Sequence, residues 1–244
     1  MADQSPTAIV TGGGKRVGAE IVRGLLADGW TVIAHVHHDA DAVPEGAIKA
    51  VADLAEPDCA ERIFEVASGM PPVTLLVNNA ARFAWDTVGE FEPSEFDAHM
   101  AVNVRAPALL IDRFAEGANG EDSLVVNLLD SKLVAPNADF LSYTLSKQAL
   151  AGLTELAARA LAPRRIRVNG IAPGLMLQSN GQSEENFRVM HASNPLRRGV
   201  EPGDILAAIR YLLAAPAVTG EVLVVDSGHR FLARERDVQF LERP

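Results

Sequence analysis

Tyr143 and Lys147 stand four residues apart, and Asp130 precedes Tyr143 by 13. On a helix that spacing puts the phenol and the ammonium on one face, about one turn apart. A phenol with an ordinary pKa of about 10 is a poor acid at neutral pH; a neighbouring ammonium favours its phenolate and so eases proton delivery to a substrate. A carboxylate nearby adds a charged hydrogen-bond acceptor. An isolated Tyr-x-x-x-Lys is more often a surface pair on an amphipathic helix, so its meaning depends on the elements that would position it.

The first of these is a glycine-rich turn. Thr7-Ala-Ile-Val-Thr11 is a β-branched apolar run ending in Gly12, Gly13 and Gly14, and a helical pattern follows through Val17, Ile21, Val22, Leu25 and Leu26. With Thr31-Val-Ile-Ala-His-Val36 the opening reads as a β-α-β unit whose turn lets backbone N–H groups and a helix N-terminus meet a pyrophosphate. Lys15 and Arg16 cluster two positive charges inside that turn, which favours an anionic ligand. After the second strand Val36 stands where an acid would accept the ribose hydroxyls, and Lys15 with His37 and His38 builds a partly cationic pocket. This favours NADP over NAD. Strand alternation would split His35 and His37 from Val36 and His38, and no second ligand cluster accompanies them, so no metal site is expected.

The rest of the chain alternates in the same way. Ile48 to Asp53 reads as a third strand with Asp53 and Leu54 at its C-terminal end, Cys59 to Met70 as a helix, and Val73 to Val77 as a buried strand running into Asn78-Asn79-Ala80-Ala81. Phe83 and Trp85 follow on a loop, each a candidate for substrate contact. Pro93 to Ala115 reads as one long helix carrying Asn103; Ser123 to Leu129 is a strand delivering Asp130; and the Tyr143 helix continues through Leu150, Leu153, Leu156 and Leu161. Arg165 to Gly170 is a strand, after which Pro173-Gly174 opens an irregular stretch of a length usual for a lid. Asp204 to Ala214 is a helix, Glu221 to Asp226 a last strand, and a charged tail follows.

At 244 residues and 48% hydrophobic, one large α/β domain is expected. A net charge of -10 argues against a nucleic-acid-binding surface. Cys59 is the sole cysteine, which excludes an internal disulfide and fits a reducing cytosol. The N-terminus lacks the basic and apolar regions of a signal peptide, and no run approaches membrane-spanning length. A cytoplasmic protein without membrane contact is expected.

Taken in order, these pieces resemble the short-chain dehydrogenase/reductase family over essentially the whole chain. TGGGKRVG is similar to that family's TGxxxGxG turn, NNAA to its NNAG, Asn103 to its helix asparagine, Tyr143 and Lys147 to its YxxxK, and Pro173-Gly174 to its PG motif. The resemblance implies a single Rossmann-type domain over residues 1–244, a doubly wound parallel sheet of about seven strands with helices on both faces, with a substrate lid at 175–198 and a tail at 229–244. It implies a homotetramer binding NADP through Gly12, Lys15, Arg16, Val17, Gly18, His37, His38, Asp53, Leu54, Asn79, Ala80, Tyr143, Lys147, Pro173 and Gly174. Tyr143 would donate the proton, Lys147 would bond the nicotinamide ribose and lower the Tyr143 pKa, and Asn103 would hold a relay water.

Two departures narrow the resemblance. Asp130 stands where the family usually has serine, with Ser131 one position later, and Arg16 replaces the turn's penultimate glycine. Both are similar to the pteridine reductases and dihydromonapterin reductases of the family, in which the turn arginine faces cofactor phosphate and pterin and an aromatic after the asparagine motif stacks on the pterin. That places Arg16, Phe83, Asp130 and Tyr143 around the substrate. Reducing a C=N bond needs hydride at carbon and a proton at nitrogen, and a carboxylate can also accept from an aminopyrimidine edge. If Ser131 takes the serine role instead, the chain is a carbonyl reductase on a non-pterin ketone. A third reading is a catalytically silent dinucleotide-binding protein. Leu175, Met176, Leu177, Met190 and Leu196 are candidates to line the pocket; His191 and His229 have no assigned role; and the tail, with Phe231, Val238, Phe240 and Leu241, is expected to dock on a neighbouring subunit.

Overall fold

The computed structural model describes residues 5–118, 122–179, 181–232 and 234–241. Seven strands form: β1 (Thr7–Val10), β2 (Thr31–Val36), β3 (Ile48–Val51), β4 (Val73–Asn78), β5 (Ser123–Leu128), β6 (Ile166–Pro173) and β7 (Val222–Val225). They pair in parallel in the order β3-β2-β1-β4-β5-β6-β7. Parallel neighbours need crossover connections, and the helical segments between strands supply them.

Alternation along each strand builds two layers. In β1, Ala8 and Val10 join the side covered by α1 (Arg16–Ala27) and α7 (Pro202–Ala214), where Ile21, Val22 and Leu25 meet Ile205, Ile209 and Leu212. Ile9 joins the other side, where α2 (Cys59–Glu65), α4 (Ala106–Gly117) and α5 (Leu141–Leu161) bury Ile63, Leu110, Phe114 and Ala157 against Leu76, Val125 and Val168. Each fully buried Ile, Leu or Phe contributes roughly 1.5–3 kcal/mol relative to exposure. Strand order reverses between β1 and β4, so the connections leaving their paired C-terminal ends part and open the crevice in which doubly wound sheets bind ligands.

Four boundaries differ from the sequence reading. The helix expected over 93–115 is α3 (Pro93–Met100), a π-helical turn at Ala101–Arg105, then α4. The helix expected over 59–70 ends its regular part at Glu65, and Gly69 takes a left-handed turn (φ 79°) into β4. β6 runs on to Pro173 because β7 takes over its pairing where β5 ends: Ile171 is the last residue paired with β5, and Pro173 pairs with Val225 of β7. The stretch between Pro173 and Arg198 contains α6 (Glu184–His191), started by Ser183, whose Oγ accepts the Asn186 N–H at 3.1 Å. Among the described residues no helix is long and apolar enough to cross a membrane.

Candidate active site

The turn after β1 is shaped by two glycines. Gly12 adopts φ 63°, and a Cβ on Gly18 would lie 2.1 Å from the Gly12 carbonyl oxygen, so the first turn of α1 can approach the loop only without a side chain there. Lys15 precedes α1 with no side-chain cap, leaving the first helical N–H groups open to the cleft. A cradle that a side chain would fill, beside an uncapped helix N-terminus and a lysine, fits a dinucleotide pyrophosphate. Arg16 replaces a glycine yet sits in left-handed backbone (φ 52°), and its guanidinium donates to the Gln178 carbonyl at 3.0 Å. The turn is thereby tied to the lid segment.

Two further groups hold this end. Thr11 Oγ1 accepts the backbone N–H of Asn79 (2.9 Å) and of Ala80 (3.0 Å), while Asn79 Nδ2 donates to the Thr11 carbonyl (2.8 Å), clasping β1 to β4 where the strand order reverses. Buried His35 accepts the Gly12 N–H on Nδ1 (3.2 Å) and places Nε2 3.0 Å from the Ala52 carbonyl, an arrangement that puts its proton on Nε2. Burial lowers its pKa and keeps the ring neutral. Sequence reasoning gave His35 no positioning role; the available signal was a histidine enclosed by apolar neighbours inside a buried strand.

The adenosine end differs in one respect from expectation. β2 stops at Val36, so strand alternation does not extend to His37 and His38, which stack on each other with ring centroids 4.0 Å apart. Lys15, His37, Asp53 and Leu54 line the cleft, and His38 lies outside its wall. His37 Nε2 is 3.4 Å from Asp53 Oδ2.

At the other end, α5 presents Tyr143 and Lys147 to the cleft as the spacing predicts. α5 starts at Leu141, directly after Phe140 in left-handed backbone (φ 61°), and Asp86 from the loop after β4 supplies the missing cap. The Asp86 carbonyl accepts from Leu141 N–H (3.2 Å), and its carboxylate accepts from Ser142 N–H (2.9 Å) and from the Ser142 hydroxyl. The helix start beside Tyr143 is thus fixed from outside the helix.

Tyr143 Oη donates to Asp130 Oδ2 at 2.9 Å. Ser131 lies on the same wall, but the phenol's bond goes to Asp130. Lys147 Nζ donates to the Leu128 carbonyl at 2.7 Å and sits 5.6 Å from the Tyr143 ring centre. Burial pushes the Tyr143 pKa well above its ordinary value, and the Asp130 charge adds to the effect. Burial also brings the Lys147 ammonium down to about 8, with the Asp130 charge opposing it. Desolvation also raises Asp130, offset in part by the Lys132 N–H and the Tyr143 hydroxyl. Both acids of the pair favour holding a proton.

The π-helical turn carries Asn103. Its Oδ1 accepts the Arg82 N–H (2.7 Å) while Nδ2 donates to the Arg82 carbonyl (3.0 Å) and to Ser146 Oγ (2.9 Å), joining the loop after β4 to α5. Phe83, 43% exposed, stacks on Phe140 (4.3 Å) and meets Tyr143 edge-on (4.7 Å). Trp85 stands outside the cleft wall and donates its indole N–H to Asp139 (3.2 Å).

One cleft of about 1020 Å³ joins the two ends. Pro173 and Gly174 line it, as do Leu175, Met176 and Leu177, whereas Met190 is in the interior and Leu196 is 68% exposed. The described tail folds onto its own chain, with Val238 buried, Phe240 6.1 Å from the Phe140 ring and Asn186 Nδ2 donating to the Leu241 carbonyl at 2.7 Å. His229, Arg234 and Asp237 complete the wall, and none was assigned to the site from sequence. His191, the last residue of α6, bonds the Val200 carbonyl (2.9 Å).

A parallel sheet in this order, with a glycine cradle at one end of the cleft and a tyrosine–lysine pair at the other, is the build of the short-chain dehydrogenases/reductases, and the chain belongs to that family. The family model described as enoyl-(acyl carrier protein) reductase matches residues 14–230, making the chain an oxidoreductase that works with a nicotinamide dinucleotide. Among individual proteins it is similar to pteridine reductase 1 of Leishmania tarentolae, 30% identical over 92% of this chain and 96% of the relative. It is also similar to the L-xylulose reductase of Mesocricetus auratus, 33% identical over 91% and 95%. In three dimensions it matches FolM alternative dihydrofolate reductase 1 from Brucella suis in complex with NADP, with TM-score 0.86, 33% identity and coverage of 96% and 98%.

Proposed function

We propose that this chain is an NADPH-dependent reductase of a dihydropterin-type substrate, acting as a cytoplasmic homotetramer. The observation that carries the reading is the 2.9 Å hydrogen bond from Tyr143 to Asp130 beneath the exposed ring of Phe83. Its support from relatives is the pteridine reductase similarity and the NADP held by the FolM structure.

NADPH, when bound, supplies the hydride. Gly12, Arg16, Val17 and Gly18 would receive the pyrophosphate, Lys15 and His37 the 2′-phosphate, Asp53 and Leu54 the adenine side, and Asn79, Ala80, Pro173, Gly174 and Lys147 the nicotinamide half, while His38 would act only through its stacking on His37. Phe83 stacks on the flat heterocycle and Arg16 flanks it. Asp130 accepts from the amino edge of the substrate, and Tyr143 passes its proton to the ring nitrogen. Raised affinity of Asp130 for a proton suits this role, since the pair can store the proton that the nitrogen takes. Lys147 compensates the phenolate as it forms, and Asn103 holds the loop and helix that frame the relay.

The test is loss of reduced-nicotinamide absorbance with dihydropterins and with simple ketones. Turnover confined to the pterins, lost by about 10²-fold or more in Asp130→Ser with NADPH affinity unchanged, is the expected result. Equal activity in the variant overturns the role of Asp130. The similarity to L-xylulose reductase favours a second reading, an NADPH-dependent reductase of a non-pterin ketone, which turnover of ketones alone would establish. Cofactor binding without turnover of either class would mark a silent binding protein.

A further inference from the structure

Lys132 and Asp237 meet at the substrate end of the cleft, Nζ to Oδ2 2.8 Å, with side chains only 10% and 15% exposed. One comes from the turn after β5, two residues beyond Asp130, and the other from the tail. Both line the same cleft as Asp130, Tyr143 and Phe83. An ammonium so enclosed is costly unless matched by an opposite charge. Lys132 is held in place by Asn137 Oδ1 at 2.8 Å, and its Nζ lies 5.4 Å from the Phe140 ring centre.

The tail is fixed so as to deliver this one carboxylate. The Asp237 N–H donates to Asp139 Oδ2 (2.8 Å), Arg236 grips the same carboxylate with Nε and Nη2 (2.8 and 2.9 Å), and Trp85 adds a fourth donor. The other cations of this wall are engaged elsewhere: Arg230 on Asp226 at 2.7 Å, and Arg234 on Ser193 at 3.0 and 3.1 Å. Lys132 is the cation that the tail pairs directly with a carboxylate.

We infer that Asp237 is a specificity-determining residue, supplying from the tail the counter-charge for Lys132 and so making the substrate end of the cleft select uncharged, hydrogen-bonding substrates over carboxylate-bearing ones. A carboxylate on the substrate would otherwise occupy the place of Asp237 on Lys132; with Asp237 there it meets a like charge instead. The inference rests on the proposed reductase reading for the placement of substrate in this cleft.

The experiment compares substrates that differ by a carboxylate. Hydroxymethyl dihydropterin is paired with the corresponding dihydropterin carboxylate, and acetophenone with its para-carboxylate. Asp237→Asn keeps the shape and removes the charge, and it should shift kcat/KM toward the carboxylate partner by about tenfold, the equivalent of roughly 1.4 kcal/mol. Lys132→Gln leaves Asp237 unmatched and should shift the ratio the other way. Opposite signs are the mark of charge selection, since simple loosening of the wall moves both variants alike. Should one variant fail to fold, the sign in the other decides. A ratio unchanged in a folded variant, or shifted with the wrong sign, overturns the inference. Absence of pterin turnover in the unaltered protein would defeat the proposed substrate while leaving the ratio to be read on the ketones. Calorimetric Kd values for the same four compounds on the NADPH-bound protein give the ratio where turnover is too slow.

Discussion

Asp130 and Asp139, nine positions apart, respond to the fold in opposite directions. Desolvation raises the first, whereas the Arg236 guanidinium holds the second down at about 2. The sign of each contribution follows. Asp130 favours the folded state most when protonated, below the ordinary carboxylate range, and loses that contribution as pH rises through its raised value. Asp139 contributes above the ordinary range and loses its contribution as pH falls toward about 2. Thermal melts should therefore show Asp130→Asn gaining on the unaltered protein at neutral pH and losing that gain in acid. Asp139→Asn should cost roughly 2 kcal/mol at neutral pH and converge with the unaltered protein in acid. Parallel pH dependence in the two variants would contradict these assignments. At this scale Tyr143, Lys147 and Asp130 were legible because type and spacing carry their geometry. The proton affinities were not, because they depend on burial and on the Tyr143–Asp130 contact, which spacing does not carry. His35 and Asp237 were missed because their partners lie on remote segments.

Helix α5 owes its start to a loop about fifty residues upstream. Asp86→Ala strands the Ser142 N–H and hydroxyl and should cost about 1–3 kcal/mol of stability. Because Tyr143 follows at once, kcat should fall further than cofactor affinity; equal losses would mean general destabilisation. Hydrophobic period located all seven strands, since parallel strands covered on both faces read as continuous apolar runs. It could not show the π-helical turn: 93–115 keeps a helical pattern, and the extra residue in the turn becomes visible only when Asn103 reaches Arg82 and Ser146. α6 was readable, with Ser183 before two glutamates, but was subsumed in a stretch judged by its length alone.

For the molecule as a whole, the proposed coenzyme preference rests on a small charge cluster at the mouth of a chain whose net charge is -10. Lys15→Ala should raise the KM for NADPH by about tenfold while leaving that for NADH nearly unchanged, a split that initial rates with both coenzymes will show. Equal loss with both would place Lys15 on the pyrophosphate instead. The class and order of elements could be read early because every crossover obeys one plan. The closing of the cleft by the chain's own tail could not, since Asp139 and Arg236 are 97 positions apart and nothing local announces their pairing.

All seven strands run the same way, so every loop implicated in chemistry leaves the sheet at one edge. The opposite edge is an open building site. A short epitope spliced between Ser68 and Gly69, both exposed at the entry to β4, should leave turnover within about twofold, because it extends a surface turn that touches neither layer of the cleft. The same peptide placed after Trp85 should abolish activity. The molecule can therefore be tethered, labelled or fused from beneath while its working face stays clear.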